Sequence, residues 1–159
     1  MHTITPAHIM EQVKLLGYDP KFQKETNQVY FIFKHENYEF PLFIRPIHQN
    51  DFLQLVAFLP CSFKRECLHD LCRFLLMINK ELDMPGFCID ESSKTIFYRL
   101  LLPSVNNEIP SELLAIFLNS AQSICKTFCK VIDAIGNGLM SLDETLEKAK
   151  IGAQQSSTR

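Results

Sequence analysis

Hydrophobic residues recur along the chain with two spacings, and the two spacings separate helices from strands. Apolar side chains at every third or fourth position predict amphipathic helices, and strict alternation predicts half-buried strands. The predicted helices cover about residues 6–16, 63–82, 110–135 and 141–150. The predicted strands cover residues 28–35, 37–46 and 51–60 and the two arms of a hairpin at 86–103.

Capping residues mark where these helices begin and end. Thr5 precedes the first helix and Gly17 follows it, as expected of an N-cap and a C-terminal glycine. Ser62 is the predicted cap of the helix over residues 63–82. Ser141 and Glu144 have the spacing of a capping box, which predicts that a short last helix begins there.

The element order α-β-β-β-α-β-β-α, followed by one short helix, predicts the fold class. Hairpins dominate this order, so we expect an α+β domain with two layers: a largely antiparallel five-stranded sheet with helices packed on it. Residues 1–150 form one predicted domain, and residues 151–159 a disordered tail. Pro41 predicts a free edge or a bulge in the second strand, because proline donates no ladder hydrogen bond. The strand at 51–60 is apolar at nearly every position, which predicts burial on both faces.

Composition and charge narrow the class of protein. The chain has 159 residues, 47% of them hydrophobic, and a formal charge of -2. It has no basic block, so nucleic acid is not an expected partner. Its longest apolar runs are too short to span a membrane, and its N-terminus has no apolar segment of the secretory type. We therefore expect a cytoplasmic protein without membrane insertion.

The sequence gives little support for catalysis or metal binding. It has no phosphate-binding glycine loop and no nucleophile elbow of the GxSxG type. Arg45, His48 and Asp51 share a loop, but no second half of a catalytic site accompanies them. Cys125 and Cys129 have a spacing that allows metal chelation, although burial on the core face of a helix explains them as well. We expect six reduced cysteines, no cofactor, no metal and no enzymatic activity.

Arg99 stands in the most hydrophobic strand of the chain. Alternation places Ile96 and Tyr98 on the core face and Arg99 on the opposite face. Arg99 is then either simply solvated or part of an apolar surface on which it binds a partner's carboxylate or carbonyl groups. The first hairpin offers a similar combination of an apolar residue and a cation, Phe43 beside Arg45. The predicted client-binding residues are Phe43, Arg45, Phe97, Arg99 and Leu101.

The helix over residues 63–82 has an apolar arc that covers about two-thirds of its circumference, wider than a surface helix needs. Cys67, Phe74 and Met77 widen the arc on one side. Deep burial within the chain's own fold would explain this width. Contact with a second copy of the chain explains it as well, and we favour that interpretation because a two-layer domain leaves little room for a fully buried helix. These three residues are the predicted dimer interface.

The segments "FLQLVAFLP", "LLMINKEL" and "GFCIDESSKTIFYRLLLP", in this order, resemble the class I type III secretion chaperone-like fold and, within it, the bacterial YbjN-type proteins. The resemblance spans about residues 28–133. It implies a cytoplasmic bacterial homodimer without catalytic activity, built from residues 63–82 and 86–90, which adds Phe87 to the interface. It also implies that the partner is an extended segment of a secreted effector-type protein. A YbjN-type regulatory or adaptor protein without a secretion client is the alternative.

Overall fold

The computed structural model describes residues 2–156, which form a twisted antiparallel sheet with helices on one face. The strands are β1 (His2–Thr3), β2 (Lys21–Gln23), β3 (Gln28–His35), β4 (Tyr38–Ile47), β5 (Phe52–Leu59), β6 (Phe87–Asp90), β7 (Thr95–Pro103) and β8 (Glu108–Ile109). The helices are α1 (Pro6–Leu15), α2 (Leu68–Glu81), α3 (Ser111–Gly136) and α4 (Leu142–Ser156). The main sheet has the order β2-β3-β4-β5-β7-β6, and β1 pairs with β8 apart from it.

The predicted α+β class is confirmed, but the main sheet has six strands where five were expected. The additional strand is β2, which pairs with β3 at one edge of the sheet. Its three residues are Lys21, Phe22 and Gln23. A single apolar residue between two polar ones is too short a pattern to be distinguished from a loop, so sequence periodicity could not reveal this strand.

The hydrophobic core lies between one face of the sheet and three helices. α1 packs on β2 and β3, α3 crosses β5 and β7, and α2 lies beside β6. The strand residues that face these helices are buried, among them Phe31, Phe33, Phe40, Leu42, Leu55, Ile96 and Tyr98. This arrangement confirms that Ile96 and Tyr98 belong to the core face of β7. The residues between them on β7 are half-buried or exposed, so the other face of the sheet is not covered by the helices.

β5 and β4 differ in detail from the expectation. β5 is central, but only alternate side chains of the strand pack under the helices, and Val56 and Phe58 on its other face are half-buried. Burial on both faces was therefore wrong for this strand. β4 lies inside the sheet, yet its ladder with β5 begins at Leu42. Pro41 is paired only with Ile32 of β3, so the predicted lack of a neighbour applies to one side of β4 at this position.

The predicted boundaries are confirmed for both ends of α1 and for the start of α4, where the capping residue lies next to the helix in the sequence. The Thr5 hydroxyl accepts a hydrogen bond from the His8 amide at 3.2 Å, and Gly17 adopts a left-handed φ of 87° after α1. The capping box also forms, because the Glu144 amide donates to the Ser141 hydroxyl at 3.1 Å and the Ser141 amide donates to the Glu144 carboxylate at 2.8 Å.

α2 begins later than predicted, and Ser62 does not cap it. The Ser62 hydroxyl is hydrogen-bonded to the side chain of Asn137 at 3.2 Å, and the Lys64 amide donates to the Gly136 carbonyl at 2.9 Å. These bonds hold the segment against the end of α3, and a short 3-10 turn at Arg65–Cys67 then leads into α2. A contact made across the fold thus displaces the helix start that the local sequence favours.

The last helix is longer than predicted. α4 continues to Ser156, so most of the segment that was expected to be a disordered tail has helical backbone, and residues 157–159 lie outside the described residues. Leu142 at its start is buried in the core and Leu146 packs against the core. No helix within the described residues has both the length and the apolar character needed to cross a membrane.

Candidate functional site

The sheet face opposite the helices carries half-buried aromatic and aliphatic side chains together with two exposed arginines. We call this surface the open face. Strand alternation and cross-strand register define it, because residues opposite each other in a ladder lie on the same face. Its central residues are Tyr30, Phe43, Arg45, Gln54, Val56, Phe58, Phe97, Arg99 and Leu101.

Four aromatic rings form a continuous row across the open face. Tyr30 stacks on Phe43 with ring centroids 5.2 Å apart. Phe58 meets Phe43 edge-on at 5.7 Å, and Phe97 follows at 5.9 Å from Phe58. Such ring pairs hold one another in fixed orientations at these distances. The row therefore presents a preformed apolar surface that extends over β3, β4, β5 and β7.

Both arginines of the open face are held by neighbouring side chains and keep free donors. The Nε of Arg45 donates to the Gln54 side-chain oxygen at 2.9 Å. The guanidinium carbon of Arg99 lies 6.0 Å from the centroid of the Phe97 ring, a cation–π distance. Within the described part of the chain, neither arginine has a carboxylate within ion-pair distance. The terminal nitrogens of both guanidinium groups therefore remain available to a partner.

The register of the strands fixes where the two arginines lie relative to each other. Phe43 of β4 is opposite Val56 of β5, which is opposite Arg99 of β7. Two residues along the strands, the corresponding row is Arg45, Gln54 and Leu101. The arginines thus occupy opposite corners of a parallelogram, with Phe43 and Leu101 at the other two corners. From standard strand spacing and rise, their Cα atoms are roughly 12 Å apart.

Each arginine also borders a shallow depression. The one beside Arg45 has a volume of about 390 Å³ and includes Gln23 and Gln28, whose side chains are hydrogen-bonded to each other at 2.7 Å. The one beside Arg99 has a volume of about 570 Å³ and includes Met84 and Phe117. The first depression offers room for a bound side chain on the open face. The second lies at the edge of β7, where the core-facing Leu100 and Phe117 of α3 also line it.

The five predicted client-binding residues come together on the open face, and Arg99 points away from the core as its alternation indicated. Whether a client binds there remains a prediction. Sequence reasoning missed Gln54, Val56 and Phe58 of β5, which join the two predicted halves of the surface, and Tyr30 of β3, which extends it beyond Phe43. The signal for Gln54 was present, since one polar residue interrupts an otherwise apolar strand.

Comparison with known protein families gives a match to the YbjN model, described as "Putative bacterial sensory transduction regulator", over residues 5–134. The chain belongs to the YbjN family. The crystal structure of YbjN, a putative transcription regulator from E. coli, is similar to this family member with a TM-score of 0.61 and 11% sequence identity, and the match covers 82% of this chain and 91% of that one.

A second solved structure, the HopA1-SchA chaperone-effector complex, contains a chain with a TM-score of 0.47 to this YbjN family member, at 13% identity. The match covers 76% of this chain and 89% of that one. A comparison with curated protein sequences found no match. The family membership and the E. coli structure together support the fold.

The predicted dimer-interface residues of this YbjN family member occupy different environments. Phe74 and Phe87 are only 8% and 4% exposed and belong to the chain's own core, where the Phe87 ring meets Phe128 edge-on at 5.9 Å. Met77 is 38% exposed, and Leu76, which was not predicted, is 69% exposed. The wide apolar arc of α2 is thus explained in large part by burial within the fold, and Phe74 and Phe87 leave little side-chain surface for a partner.

The C-terminal segment covers the flank of α2 that carries Cys67. The Leu142 amide at the start of α4 lies 3.5 Å from the Asp70 carboxylate, and a methyl group on Gly138 would lie 3.3 Å from the Cys67 sulfur. Both α4 and the loop before it therefore pack on this side of α2. The opposite flank, with Cys72 and Leu76, borders an apolar hollow of about 260 Å³ next to β6.

The outer edge of β6 is occupied by a side chain of α2. The Asn79 side-chain oxygen accepts hydrogen bonds from the amides of Gly86 and Phe87 at 3.1 and 3.0 Å, and its nitrogen donates to the Phe87 carbonyl at 2.9 Å. Asn79 thereby takes the place that a neighbouring strand would have beside Phe87. β6 has only four residues, and Asn79 occupies the backbone groups in its first half, so a strand from another chain could not pair there.

Three of the cysteines cluster under the sheet. The sulfurs of Cys61 and Cys129 are 3.4 Å apart, and Cys125 lies one helical turn before Cys129. The hydrogen bond with Cys129 and burial raise the pKa of the Cys61 thiol, and burial raises the pKa of Cys125. In the part of the chain that the structure describes, no three His, Cys, Asp or Glu side chains gather in a group suited to a metal ion.

The loop residues considered for catalysis have separate partners. The Arg45 guanidinium is bound to Gln54, whereas the His48 ring packs edge-on against Phe52 with centroids 6.0 Å apart. The structure therefore assigns Arg45 to the open face.

Proposed function

We propose that this protein is a non-catalytic protein-binding module that holds an extended polypeptide segment on the open face. The aromatic row with its two unneutralised arginines carries this proposal. Contiguous apolar surface bordered by polar groups is typical of a binding site on a soluble protein. Hydrophobic contact supplies affinity, and the fixed guanidinium groups supply direction and register.

An extended segment fits this surface better than a folded partner or a small molecule. The open face crosses four strands and is shallow, whereas small-molecule sites are enclosed. An extended chain presents alternate side chains to one side, as the open face does, so the two surfaces can interdigitate. The bound segment gives up its conformational freedom on binding, which favours moderate affinity and a tolerant sequence preference.

A peptide display experiment tests this function. A library of random unstructured peptides is selected on the immobilised protein, and the enriched peptides are then measured against Phe97→Asp. We expect enrichment of apolar peptides and at least tenfold weaker binding to the variant, because a carboxylate would enter the aromatic row. The matched control is Leu139→Asp, an exposed position away from the sheet. Peptides that bind wild type and Phe97→Asp equally well would refute the open face as the site.

We further propose that the natural segment belongs to a secreted effector-type protein and that binding occurs in the cytoplasm. The resemblance of the element order to class I secretion chaperones supports this. The alternative is a regulatory or adaptor protein with an intracellular partner, and the description of the YbjN family supports that alternative. Neighbouring genes distinguish the two: an adjacent gene for a secretion apparatus or an effector favours the chaperone.

We also propose a homodimer, now built on the flank of α2 that carries Leu76. The support is the exposed Leu76 beside an apolar hollow that Cys72, Cys88 and Ile89 line. Because Asn79 occupies the β6 edge, side-chain packing rather than strand pairing would form the contact. Leu76→Glu should then convert dimers into folded monomers in light scattering. A wild-type protein that stays monomeric at tens of micromolar, a range typical of such tests, would rule the dimer out.

A further inference from the structure

We infer that the open face selects segments in which two carboxylates are separated by three residues, with an apolar side chain at the middle position. This inference rests on the proposed function and specifies the partner's chemistry. It follows from the charge of the surface, from the distance between its two arginines, and from the side chains between them.

The charge of the open face calls for acidic groups in the partner. Arg45 and Arg99 are exposed cations, and the described residues place no carboxylate beside either one. Gln54 accepts a hydrogen bond from the Nε of Arg45, so the terminal nitrogens of this exposed side chain are free to bind a partner. Guanidinium groups bind carboxylates through paired, charge-assisted hydrogen bonds, a geometry that a backbone carbonyl cannot match.

The distance between the arginines sets the spacing of the two acidic residues. An extended chain advances about 3.4 Å per residue and presents alternate side chains to one side. Residues i and i+2 are then only about 7 Å apart, whereas i and i+4 are about 14 Å apart. The roughly 12 Å diagonal between Arg45 and Arg99 matches the longer spacing, because flexible Glu and Arg side chains absorb the difference.

The side chains between the arginines determine what the middle residue must be. Residue i+2 faces the sheet halfway along the diagonal, between Val56 and Gln54 of β5, with Phe43 on one side and Leu101 on the other. An aliphatic side chain there would cover partly exposed apolar surface on three residues. A polar side chain would give up water for the Gln54 amide alone, whose oxygen already accepts a hydrogen bond from Arg45, so an aliphatic side chain is favoured.

The test uses fluorescence anisotropy with a labelled peptide that contains Glu-Ser-Leu-Ser-Glu in an unstructured context. The comparison peptides replace one or both Glu by Gln, shorten the spacing to Glu-Ser-Leu-Glu, or replace Leu by Ser. We expect each Glu→Gln change to weaken binding about tenfold, as the loss of a charge-assisted hydrogen bond should. The shortened peptide should bind like a peptide with a single Glu.

Variants of the protein assign each carboxylate to its arginine. In Arg45→Gln, replacing one particular Glu should have no further effect on affinity, while the other Glu keeps its full contribution. Arg99→Gln should show the reverse pattern. Arg73→Gln, an exposed arginine on α2, removes the same charge elsewhere and should bind all peptides as wild type does.

Three results would overturn the inference. If the Gln and Glu peptides bind equally, the open face binds segments without selecting acids, and the proposed function survives alone. If no peptide binds and display enriches none, the proposed function fails as well. If Arg99→Gln changes self-association of the protein but not peptide binding, the open face is an interface between two copies of the chain.

Discussion

Phe74 and Leu76 are two positions apart on α2 and have opposite surroundings. Phe74 is 8% exposed and packs in the core, whereas Leu76 is 69% exposed at the surface. On a helical wheel both belong to the same wide apolar arc. A buried side chain contributes far more to the free energy of unfolding than an exposed one. The spacing of apolar residues along the helix does not reveal which of the two side chains is buried.

Phe74→Ala should lower the free energy of unfolding by about 3–5 kcal/mol, because it removes a large buried ring and leaves a cavity. At protein concentrations where the chain is monomeric, Leu76→Ala should change it by less than about 0.5 kcal/mol, since that side chain is then in water. Urea denaturation of the two variants beside wild type measures both values. Equal losses would contradict the burial difference between the two positions.

The six cysteines should differ in reactivity by their environment. Burial raises the pKa of Cys125, and the hydrogen bond with Cys129 together with burial raises that of Cys61, so neither forms much thiolate near neutral pH. A short pulse of N-ethylmaleimide at pH 8, read by peptide mass spectrometry, should label the half-buried Cys67 and Cys88 well before Cys125 and Cys129. Denaturant should remove the difference. Early labelling of Cys125 in the native protein would contradict its burial.

At the scale of elements, Asn79 links α2 to β6 through three hydrogen bonds. The edge strand is short, and a free edge promotes association with other chains. Asn79 therefore has two roles: it satisfies backbone groups of Gly86 and Phe87, and it protects the edge from strand addition.

Asn79→Ala should lower the free energy of unfolding by about 1–3 kcal/mol, because partly buried amides lose their acceptor. It should also raise the tendency to aggregate on mild heating. Asn79→Asp is the matched comparison, since its carboxylate still accepts from both amides while the donor to the Phe87 carbonyl is lost, so we expect an intermediate loss. Thermal melts followed by light scattering measure both effects. An Ala variant as stable as wild type would show that water replaces the side chain without cost.

Elements differ in how far the sequence predicts them. The hairpin of β6 and β7, the long strands and the caps at Thr5 and Ser141 follow from local patterns, because local geometry decides them. β2 and the start of α2 do not follow from local patterns. β2 exists because it pairs with β3, and the start of α2 is displaced because the preceding segment is hydrogen-bonded to Gly136 and Asn137. The same holds for the site: alternation placed Arg99 outward, but only register shows that Val56 and Gln54 complete its surface.

At the scale of the whole molecule, α4 lies outside the segment that matches the YbjN family, which ends at residue 134. It nevertheless contributes the buried Leu142 to the core and covers the Cys67 flank of α2. The last helix is therefore part of the fold of this chain, and it occupies a flank that could otherwise meet a partner.

Removal of residues 141–159 should lower the free energy of unfolding by at least about 2 kcal/mol, through the loss of the buried leucine. The truncated protein should also self-associate through the uncovered flank of α2, which light scattering detects. Ser141→Ala is the graded control: the loss of the cap should cost about 1 kcal/mol and leave the association state unchanged. A truncated chain with unaltered stability and size would mean that α4 contributes nothing to the core.

The position of Asn79 in the chain has a consequence for synthesis on the ribosome. The polypeptide emerges from its N-terminus, so α2 leaves the exit tunnel before β6 does. The side chain that covers the strand edge is thus made before the strand itself. β6 can begin to pair with β7 only when Thr95, the partner of Asp90, has emerged eight residues after Phe87. By then Asn79 is available to occupy the edge that nascent chains on neighbouring ribosomes would otherwise find.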